Sequence, residues 1–276
     1  MMAAVLSVLR PPARHQRRFR RGVHLLPGMF TVANLFCGWA SIVYVMRGDF
    51  VTAAPFIGVA MVLDMLDGRI ARLANATSDF GEQLDSLADI VSFGIAPAIL
   101  VFAWGLEPLG RLGWAAGFLW VTATAVRLAR FNIQAKDDDR RYFLGLPSPA
   151  AAGVPAATVF LYPGGLQDVA GALVALPLVV VPAGLMVSHV RFRSVGALLP
   201  GHRRSSLTPL VIAAVIAAIV VQPGIVLVTA AYTYMLSGLI GGLMGRLGRT
   251  RRRSGSAEEP PVAPDTSQAP ASSRSR

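Results

Sequence analysis

Apolar and polar positions alternate along the chain in long blocks, with apolar runs separated by short polar stretches. Most of these runs approach the roughly 20 residues that cross a bilayer as an α-helix, although the fifth and the seventh are short for a full span. The pattern predicts an all-α fold, a polytopic transmembrane helical bundle of about eight spans, with six spans as the alternative. The eight runs cover residues 29–46, 51–73, 84–105, 112–131, 149–162, 168–188, 208–221 and 224–245.

The composition supports a membrane protein. Of the 276 residues, 54% are hydrophobic and only 15% are charged, whereas a soluble domain carries about a quarter charged residues. A soluble helical protein is therefore a poor alternative. Cys37 is the only cysteine, which excludes an internal disulfide.

The basic residues indicate which partners to expect. They give a formal net charge of +11, and all of them except Lys136 are arginines. In a membrane protein such an excess indicates topology and contact with a bilayer that contains anionic lipids. Nucleic acid is not expected as a partner, because no basic stripe interleaved with aromatic residues is present.

The arginines also indicate sidedness. The two ends of the chain and the loops at 132–148 and 189–207 carry most of them on one side, and the opposite loops carry Arg47 and Arg111. The positive-inside rule then places both termini in the cytoplasm, in the cytoplasmic (inner) membrane. We expect a cytoplasmic polybasic N-terminal segment at 1–24, a membrane domain at 25–246 and a disordered cytoplasmic tail at 247–276.

Four aspartates lie in the second and third apolar runs, at the predicted cytoplasmic face. Asp64 and Asp67 are three residues apart, and Asp85 and Asp89 are four apart. Each pair therefore lies on one face of its helix. Because a short turn joins the two helices, they are antiparallel neighbours, and the two pairs can converge into one cluster of four carboxylates.

Such a cluster needs an explanation, because four carboxylates in a partly dehydrated pocket repel one another unless some are protonated or cations lie between them. Hard divalent cations such as Mg²⁺ or Mn²⁺ suit an all-oxygen site. Four carboxylates suffice for two such ions, an arrangement that serves phosphoryl-type displacement. The alternatives are a helix end whose acids face water, and a cation or proton transporter that uses acids inside the membrane.

The four acids stand within a longer pattern, D-x2-D-G-x2-A-R-x8-G-x3-D-x3-D. This pattern resembles the signature of the CDP-alcohol phosphotransferase family. The resemblance implies an integral membrane enzyme that displaces CMP from a CDP-linked lipid or alcohol with two divalent metals, and a homodimer. The eight fixed positions of the pattern are Asp64, Asp67, Gly68, Ala71, Arg72, Gly81, Asp85 and Asp89.

The resemblance also suggests roles for these residues. Asp89, the last acid on its face, is the candidate catalytic base. Thr31 and Asn34, early in the first run, are candidates for contact with the nucleotide, with a helix-terminal cap as the alternative. Metal ligands would be Asp64, Asp67 and Asp85 for one ion and Asp64, Asp85 and Asp89 for the other, and the CDP site would be lined by Gly68, Ala71, Arg72 and Gly81.

Flanking runs narrow the acceptor alcohol. DSLADIVSFGIAPA at 85–98 and YFLGLPSPAAAG at 142–153 resemble the branch of the family that uses CDP-diacylglycerol and L-serine, which implies phosphatidylserine and CMP as products. A guanidinium is the expected partner of the serine carboxylate. Arg127 and Arg130, the latter with Asn132, are candidates, and topological anchoring is the alternative for each arginine. Glycerol 3-phosphate and inositol phosphate remain alternative acceptors that should require a denser basic pocket.

Overall fold

The computed structural model describes residues 25–74, 78–134, 143–188, 190–192 and 208–255. Within these residues the chain is almost entirely helical. The α-helices, in chain order, are α1 (Leu25–Met46), α2 (Phe50–Ala74), α3 (Asp79–Asp89), α4 (Ala96–Val101), α5 (Arg111–Gln134), α6 (Ser148–Leu161), α7 (Val169–Ala175), α8 (Pro177–Val187), α9 (Thr208–Val221) and α10 (Pro223–Gly255). The remaining elements are π-helices at Ile90–Ile95 and Phe102–Leu106, a 3-10 turn at Glu107–Leu109, and strands β1 (Phe143–Leu144) and β2 (Arg191–Phe192).

Six helical segments of the described chain are long and apolar enough to cross a membrane. The other two predicted segments form α6 and α9, which have 14 residues each, short of the roughly 20 that a span requires. The prediction of eight spans is thus not confirmed, and the structure agrees with the alternative of six. The six candidate spans are Gly28–Met46, Phe50–Ile70, Asp79–Leu109, Arg111–Ile133, Val169–Val187 and Pro223–Ile240.

The third span differs from a regular helix, because π-helical turns follow both α3 and α4. Pro97 lacks the N–H that would bond to the carbonyl of Phe93 in an α-helix. The Trp120 indole of α5 supplies a donor instead, with its Nε1 3.0 Å from the Phe93 oxygen. The N–H of Ala96 reaches the Val91 carbonyl in π-helical spacing. One proline and one tryptophan thus stabilise the turn that follows Asp89, and π-turns of this kind are frequent at functional sites.

The helices around the third span pack through small residues. Ala53, Ala54 and Ala60 of α2 are buried, and the Ser41 hydroxyl of α1 donates to the Ala53 carbonyl at 2.9 Å. Small side chains allow the close backbone approach that holds membrane helices together. Larger side chains complete the core, among them Ile57, Phe93, Leu100, Trp120, Leu146, Val154 and Met186.

A short backbone pairing precedes α6 and was not predicted from the sequence. Strands β1 and β2 are antiparallel, with Phe143 opposite Phe192. Gly145 follows with φ of 85°, and a Cβ there would lie 2.3 Å from the Met186 carbonyl oxygen. Only glycine fits this turn without strain, and the turn fixes where the GLPSP sequence starts α6.

The structure does not test the predicted domain boundaries. Helix α10 continues to Gly255, past residue 246, where we placed the end of the membrane domain. The predicted polybasic segment at 1–24 and residues 256–276 of the predicted tail lie outside the described residues. The domain boundaries therefore stay predictions.

Candidate active site

Three of the four predicted aspartates converge. Asp64 lies in the second half of α2, and Asp85 and Asp89 lie one turn apart on α3. One carboxylate oxygen from each residue can be chosen so that all three atoms lie within 4.8 Å of one another. Asp89 is buried, and the other two are partly buried. The antiparallel arrangement of α2 and α3 thus brings the two pairs together, as the spacing predicted.

The fourth aspartate, Asp67, lies beside this trio. It is buried, and the Thr31 hydroxyl of α1 donates to its Oδ2. Asp67 remains close enough to Asp85 for their charges to interact. The first span therefore forms one wall of the acidic site.

A second contact from α1 orients Asp89. The Asn34 side-chain amide donates from Nδ2 to Asp89 Oδ1 at 3.2 Å, and the Ser92 hydroxyl donates to the Asn34 carbonyl at 2.9 Å. Asn34 and Ser92 are fully buried. Gly38, one turn after Asn34, allows this contact, because a Cβ there would lie 2.5 Å from Ser92 Oγ and 2.8 Å from its Cα. The π-turn after Asp89 is thus packed directly against the helix that supplies Asn34.

The acidic site has unused acceptor capacity. Among the described residues, Asp85 Oδ1 and Asn34 Oδ1 are buried side-chain atoms without a hydrogen-bond partner. Buried polar atoms without a partner are rare in folded proteins, and a bound cation can supply the partner that such an oxygen lacks. Carboxylate and amide oxygens are also the ligands that hard divalent cations prefer. The oxygen atoms of this pocket therefore suit the coordination of a metal ion.

Arg127 of α5 is a described cation whose charge interacts with these acids. The guanidinium is near enough to interact with the charges of Asp64 and Asp89. Its Nη1 donates to the hydroxyl of Ser148 at 2.9 Å, and its Cζ lies 5.3 Å from the centre of the Phe131 ring. Ser148 is the first residue of α6 and is fully buried. Arg127, one of the predicted acceptor-binding residues, is thus located at the acidic site.

The other two predicted acceptor-binding residues contact neighbouring helices. Arg130 donates from Nη1 to the Val187 carbonyl at 3.2 Å, near the end of α8. Asn132 donates from Nδ2 to Ser86 Oγ at 2.9 Å, next to Asp85 on α3. Both contacts hold helix ends near the site. A direct role in binding the acceptor stays a prediction for these two residues.

The predicted CDP-binding residues are less defined. Gly81 lies in the first turn of α3, where its N–H donates to the N-cap hydroxyl of Ser78 at 3.1 Å. Gly68 lies on an exposed part of α2. Ala71 and Arg72 belong to α2, but their side chains lie outside what the structure describes. Their contact with a nucleotide therefore stays a prediction, as does that of Thr31 and Asn34.

Sequence reasoning did not identify several residues that form the walls of this site. Ser92 lies in the quoted run at 85–98, but neither Ser92 nor Gly38 was assigned a role, because their roles depend on how α1 meets the π-turn. Ser148 lies in the quoted GLPSP run but had no evident partner until α5 and α6 were placed. Tyr234 of α10 is partly buried and lies close enough to Arg127 to affect its electrostatics. No motif marks Tyr234.

The site residues share one end of the bundle. Thr31 and Asn34 lie near the start of α1, Asp64 and Asp67 in the second half of α2, and Asp85 begins the third span. Arg127 lies in the last turns of α5, and Ser148 begins α6. Successive helices alternate in direction, so these positions meet at one face of the bundle.

Comparisons with known proteins identify a family and several relatives that this chain resembles. A CDP-alcohol phosphatidyltransferase family model matches residues 24–187. A Helicobacter pylori CDP-diacylglycerol–serine O-phosphatidyltransferase is 38% identical over 176 residues, which cover 62% of this chain and 72% of that protein. Proteins with the same description are 41% identical in Mycobacterium leprae, over 49% of this chain and 47% of the relative, and 34% identical in Bacillus subtilis, over 51% and 78%.

The matched region contains all four aspartates, Arg127 and Ser148, and it ends with α8. It spans 164 of the 276 residues, counted from residue 24 through residue 187, and this is more than half of the chain. The pattern read from the sequence, the convergent carboxylates and the family model all lead to one conclusion. The chain belongs to the CDP-alcohol phosphatidyltransferase family.

Proposed function

We propose that this protein transfers the phosphatidyl group of CDP-diacylglycerol to L-serine and forms phosphatidylserine and CMP. The observation that carries the proposal is the carboxylate trio of Asp64, Asp85 and Asp89, whose oxygens lie within 4.8 Å of one another inside the region that matches the family. The choice of serine is supported by the relatives in Helicobacter pylori, Mycobacterium leprae and Bacillus subtilis, which are named as serine O-phosphatidyltransferases. The chain spans about half the length of the Mycobacterium leprae relative.

The carboxylates would bind two divalent ions, Mg²⁺ or Mn²⁺. Asp64, Asp85 and Asp89 form the set for one ion, and Asp67 with Asp64 and Asp85 forms the set for the second. The unpartnered Asp85 Oδ1 supports this use of the pocket. When bound, the ions would neutralise the diphosphate of the lipid substrate and the negative charge of the departing CMP.

The chain's own groups would then direct the transfer. The serine hydroxyl oxygen attacks the phosphorus on the lipid side of the diphosphate, and its proton passes to Asp89. A new bond forms between this oxygen and phosphorus, while the bond from phosphorus to the bridging oxygen breaks. The bridging oxygen leaves with CMP, and Asp89 returns its proton to solvent. Asn34 supports this role because its amide fixes one oxygen of Asp89.

Substrate positions follow from the same assignment. Serine would approach from water, and the diacylglycerol chains would remain in the bilayer, because the site lies at one end of the bundle. We place that end at the cytoplasmic side of the inner membrane, in accordance with the arginine distribution. The chain would function as a homodimer in a bilayer with anionic lipids. The nucleotide would contact Thr31, Asn34, Gly68, Ala71, Arg72 and Gly81.

A single assay tests the reaction. The full chain, purified in detergent, is incubated with CDP-diacylglycerol and Mg²⁺ or Mn²⁺ in parallel reactions with serine, glycerol 3-phosphate and inositol phosphate. Serine-dependent release of CMP with matching formation of phosphatidylserine is the expected result. A chelator such as EDTA should abolish the release, and added divalent metal should restore it.

Each part of the proposal has its own contrary outcome. CMP release with one of the phosphate-bearing acceptors but not with serine would replace the acceptor and keep the family chemistry. Full activity in excess EDTA would contradict the metal assignment. Cation flux in vesicles without CMP release under any condition would favour a transporter that uses the same acids.

A further inference from the structure

We infer that Arg127, Ser148 and Tyr234 form the subsite that recognises the carboxylate of the acceptor amino acid. The inference rests on the proposed function and deepens it, because it assigns the group that distinguishes serine from a simple amino alcohol. Tyr234 and Ser148 are new to this role. Tyr234 comes from α10, beyond residue 187, where the match to the family model ends.

The contact between Arg127 and Ser148 is the first reason. The Ser148 hydroxyl is fully buried and accepts from Arg127 Nη1 at 2.9 Å. Phe131 packs one turn along the same helix, with its ring 5.3 Å from the guanidinium carbon. A guanidinium has five N–H donors in a planar fork, so the contact with Ser148 fixes its orientation and leaves further donors for a ligand. A fixed fork of this kind binds a carboxylate bidentately.

The charges around Arg127 are the second reason. An amino acid brings an anionic carboxylate and a cationic ammonium group into the pocket together. Arg127 offers the cation, and Asp64 and Asp89 lie close enough to interact with its charge. The carboxylate of serine would therefore meet the guanidinium while its ammonium group and hydroxyl face the acids. The pairing of opposite charges orients the hydroxyl toward Asp89.

The contrast with Arg130 is the third reason. Arg130 donates to the backbone of Val187 at the end of α8, whereas Arg127 lies beside the acids. Among the described residues, Arg127 is the cation whose charge interacts with Asp64 and Asp89, and one guanidinium matches the single negative charge of a carboxylate. A phosphate dianion would require more positive charge within the same reach.

Tyr234 of α10 is the third member of the subsite. Its phenol is partly buried and lies near the Arg127 guanidinium. A phenol hydroxyl can donate to a carboxylate that the guanidinium holds. The last span would thereby contribute to the choice of acceptor, although it lies outside the region shared with the family model.

The test uses two acceptors and two variants in the full chain. Serinol keeps the hydroxymethyl and amino groups of serine and replaces the carboxylate by a second hydroxymethyl group. KM is measured for serine and for serinol, with serinol measured as a competitive inhibitor if it does not turn over. Ser148→Ala should raise the KM for serine about tenfold, because a hydrogen bond to a charged group is lost. Tyr234→Phe should raise it about threefold.

The ratio between the two acceptors separates recognition from a structural effect. Both variants should leave unchanged the KM for CDP-diacylglycerol and the KM or inhibition constant for serinol. The preference for serine over serinol should then fall by the same factors by which the KM for serine rises. Tyr232→Phe is the matched control, because Tyr232 lies two residues away on α10 and contacts Thr158 at 3.0 Å instead. This control should keep the discrimination of the unmodified chain.

The contrary outcomes are distinct. If the unmodified chain makes no phosphatidylserine, the proposed function fails. If it makes phosphatidylserine but both variants keep the serine KM, or lose serine and serinol equally, the subsite assignment alone is wrong. If one variant does not yield folded protein, the other decides the result.

Discussion

The third and the last candidate membrane spans are both apolar, but the third is much more buried within the protein than the last. In the third span, Asp79–Leu109, 56% of the most apolar window is buried within the protein, whereas in the last, Pro223–Ile240, the share is 11%. The third span carries two site aspartates and is surrounded by α1, α5 and α6. The last span contacts the bundle along one side and presents most of its residues outward. Hydropathy therefore identifies a span but does not indicate whether its surroundings are protein or lipid.

The difference between the two spans lies in their side chains. Several small residues of the third span are buried, namely Ser92, Gly94, Ala96 and Ala98. Such small residues let neighbouring helices approach closely. The last span presents large apolar side chains on its outer surface, among them Ile225, Leu227, Leu236 and Ile240. We therefore expect changes in the third span to affect both function and packing, and outward changes in the last span to affect little.

The largest effect is expected at the acids of the third span. Asp89→Asn keeps the size of the side chain and removes its charge and its capacity to accept a proton. General-base catalysis contributes roughly 10²- to 10⁴-fold, so kcat for serine should fall at least about 100-fold. The measurement is CMP release at saturating CDP-diacylglycerol and metal.

Asp49→Asn provides the control for Asp89→Asn. Asp49 lies in the turn between α1 and α2 and accepts from the Thr52 N–H at 3.0 Å, a contact that asparagine can also make. This variant should keep full activity. Near-normal CMP release by Asp89→Asn would show that another group takes the proton.

The second expected effect concerns the contact between the first span and the π-turn. Gly38→Ala introduces a Cβ 2.8 Å from the Ser92 Cα, a backbone atom that cannot rotate away. Overpacking costs about 1–3 kcal/mol. Relieving the clash would separate α1 from the π-turn and move Asn34 away from Asp89. We expect a lower unfolding temperature in detergent and a lower kcat, with less change in the KM for serine.

The matched control for Gly38→Ala is Gly58→Ala. Gly58 lies in the middle of α2, and a Cβ there would meet nothing within 4 Å. Alanine at this position should leave activity unchanged and should not lower stability, because alanine is the better helix former. Equal behaviour of the two variants would mean that α1 and the π-turn are less closely packed than the structure indicates.

These contacts also illustrate how much the sequence predicted. The spacings of Asp64, Asp85 and Asp89 were sufficient to predict one cluster, because helical periodicity and a short turn determine which faces meet. Asp67 lies close enough to Asp64 and Asp85 for their charges to interact, while its carboxylate accepts from the Thr31 hydroxyl, and its role as a metal ligand stays a prediction. Which oxygen a carboxylate presents to which neighbour depends on packing between α1 and α2, and periodicity does not contain that information.

The helices were likewise predicted better than the number of spans. Every predicted apolar run forms a helix, but Ser148–Leu161 and Thr208–Val221 are too short for ordinary spans. The π-turn after Asp89 was not predicted, because it depends on a donor from Trp120, 27 residues away in sequence. The location of Arg127 at the acids, with Arg130 held by the end of α8, likewise depends on the rotation of α5. These features arise from contacts between distant segments.

The smallest effect is expected on the outer surface of the last span. Ile240 is 57% exposed, so Ile240→Val removes one methylene from a mostly exposed side chain and should change the free energy of unfolding by less than about 0.5 kcal/mol. Thermal unfolding in detergent measures the change, with Gly38→Ala as the destabilised reference in the same assay. A loss above about 1 kcal/mol would mean that protein covers this surface, and the predicted homodimer is the candidate. Size-exclusion chromatography of the same variant distinguishes the two cases, because a weakened dimer shifts toward the monomer while a change inside one bundle leaves the size unchanged.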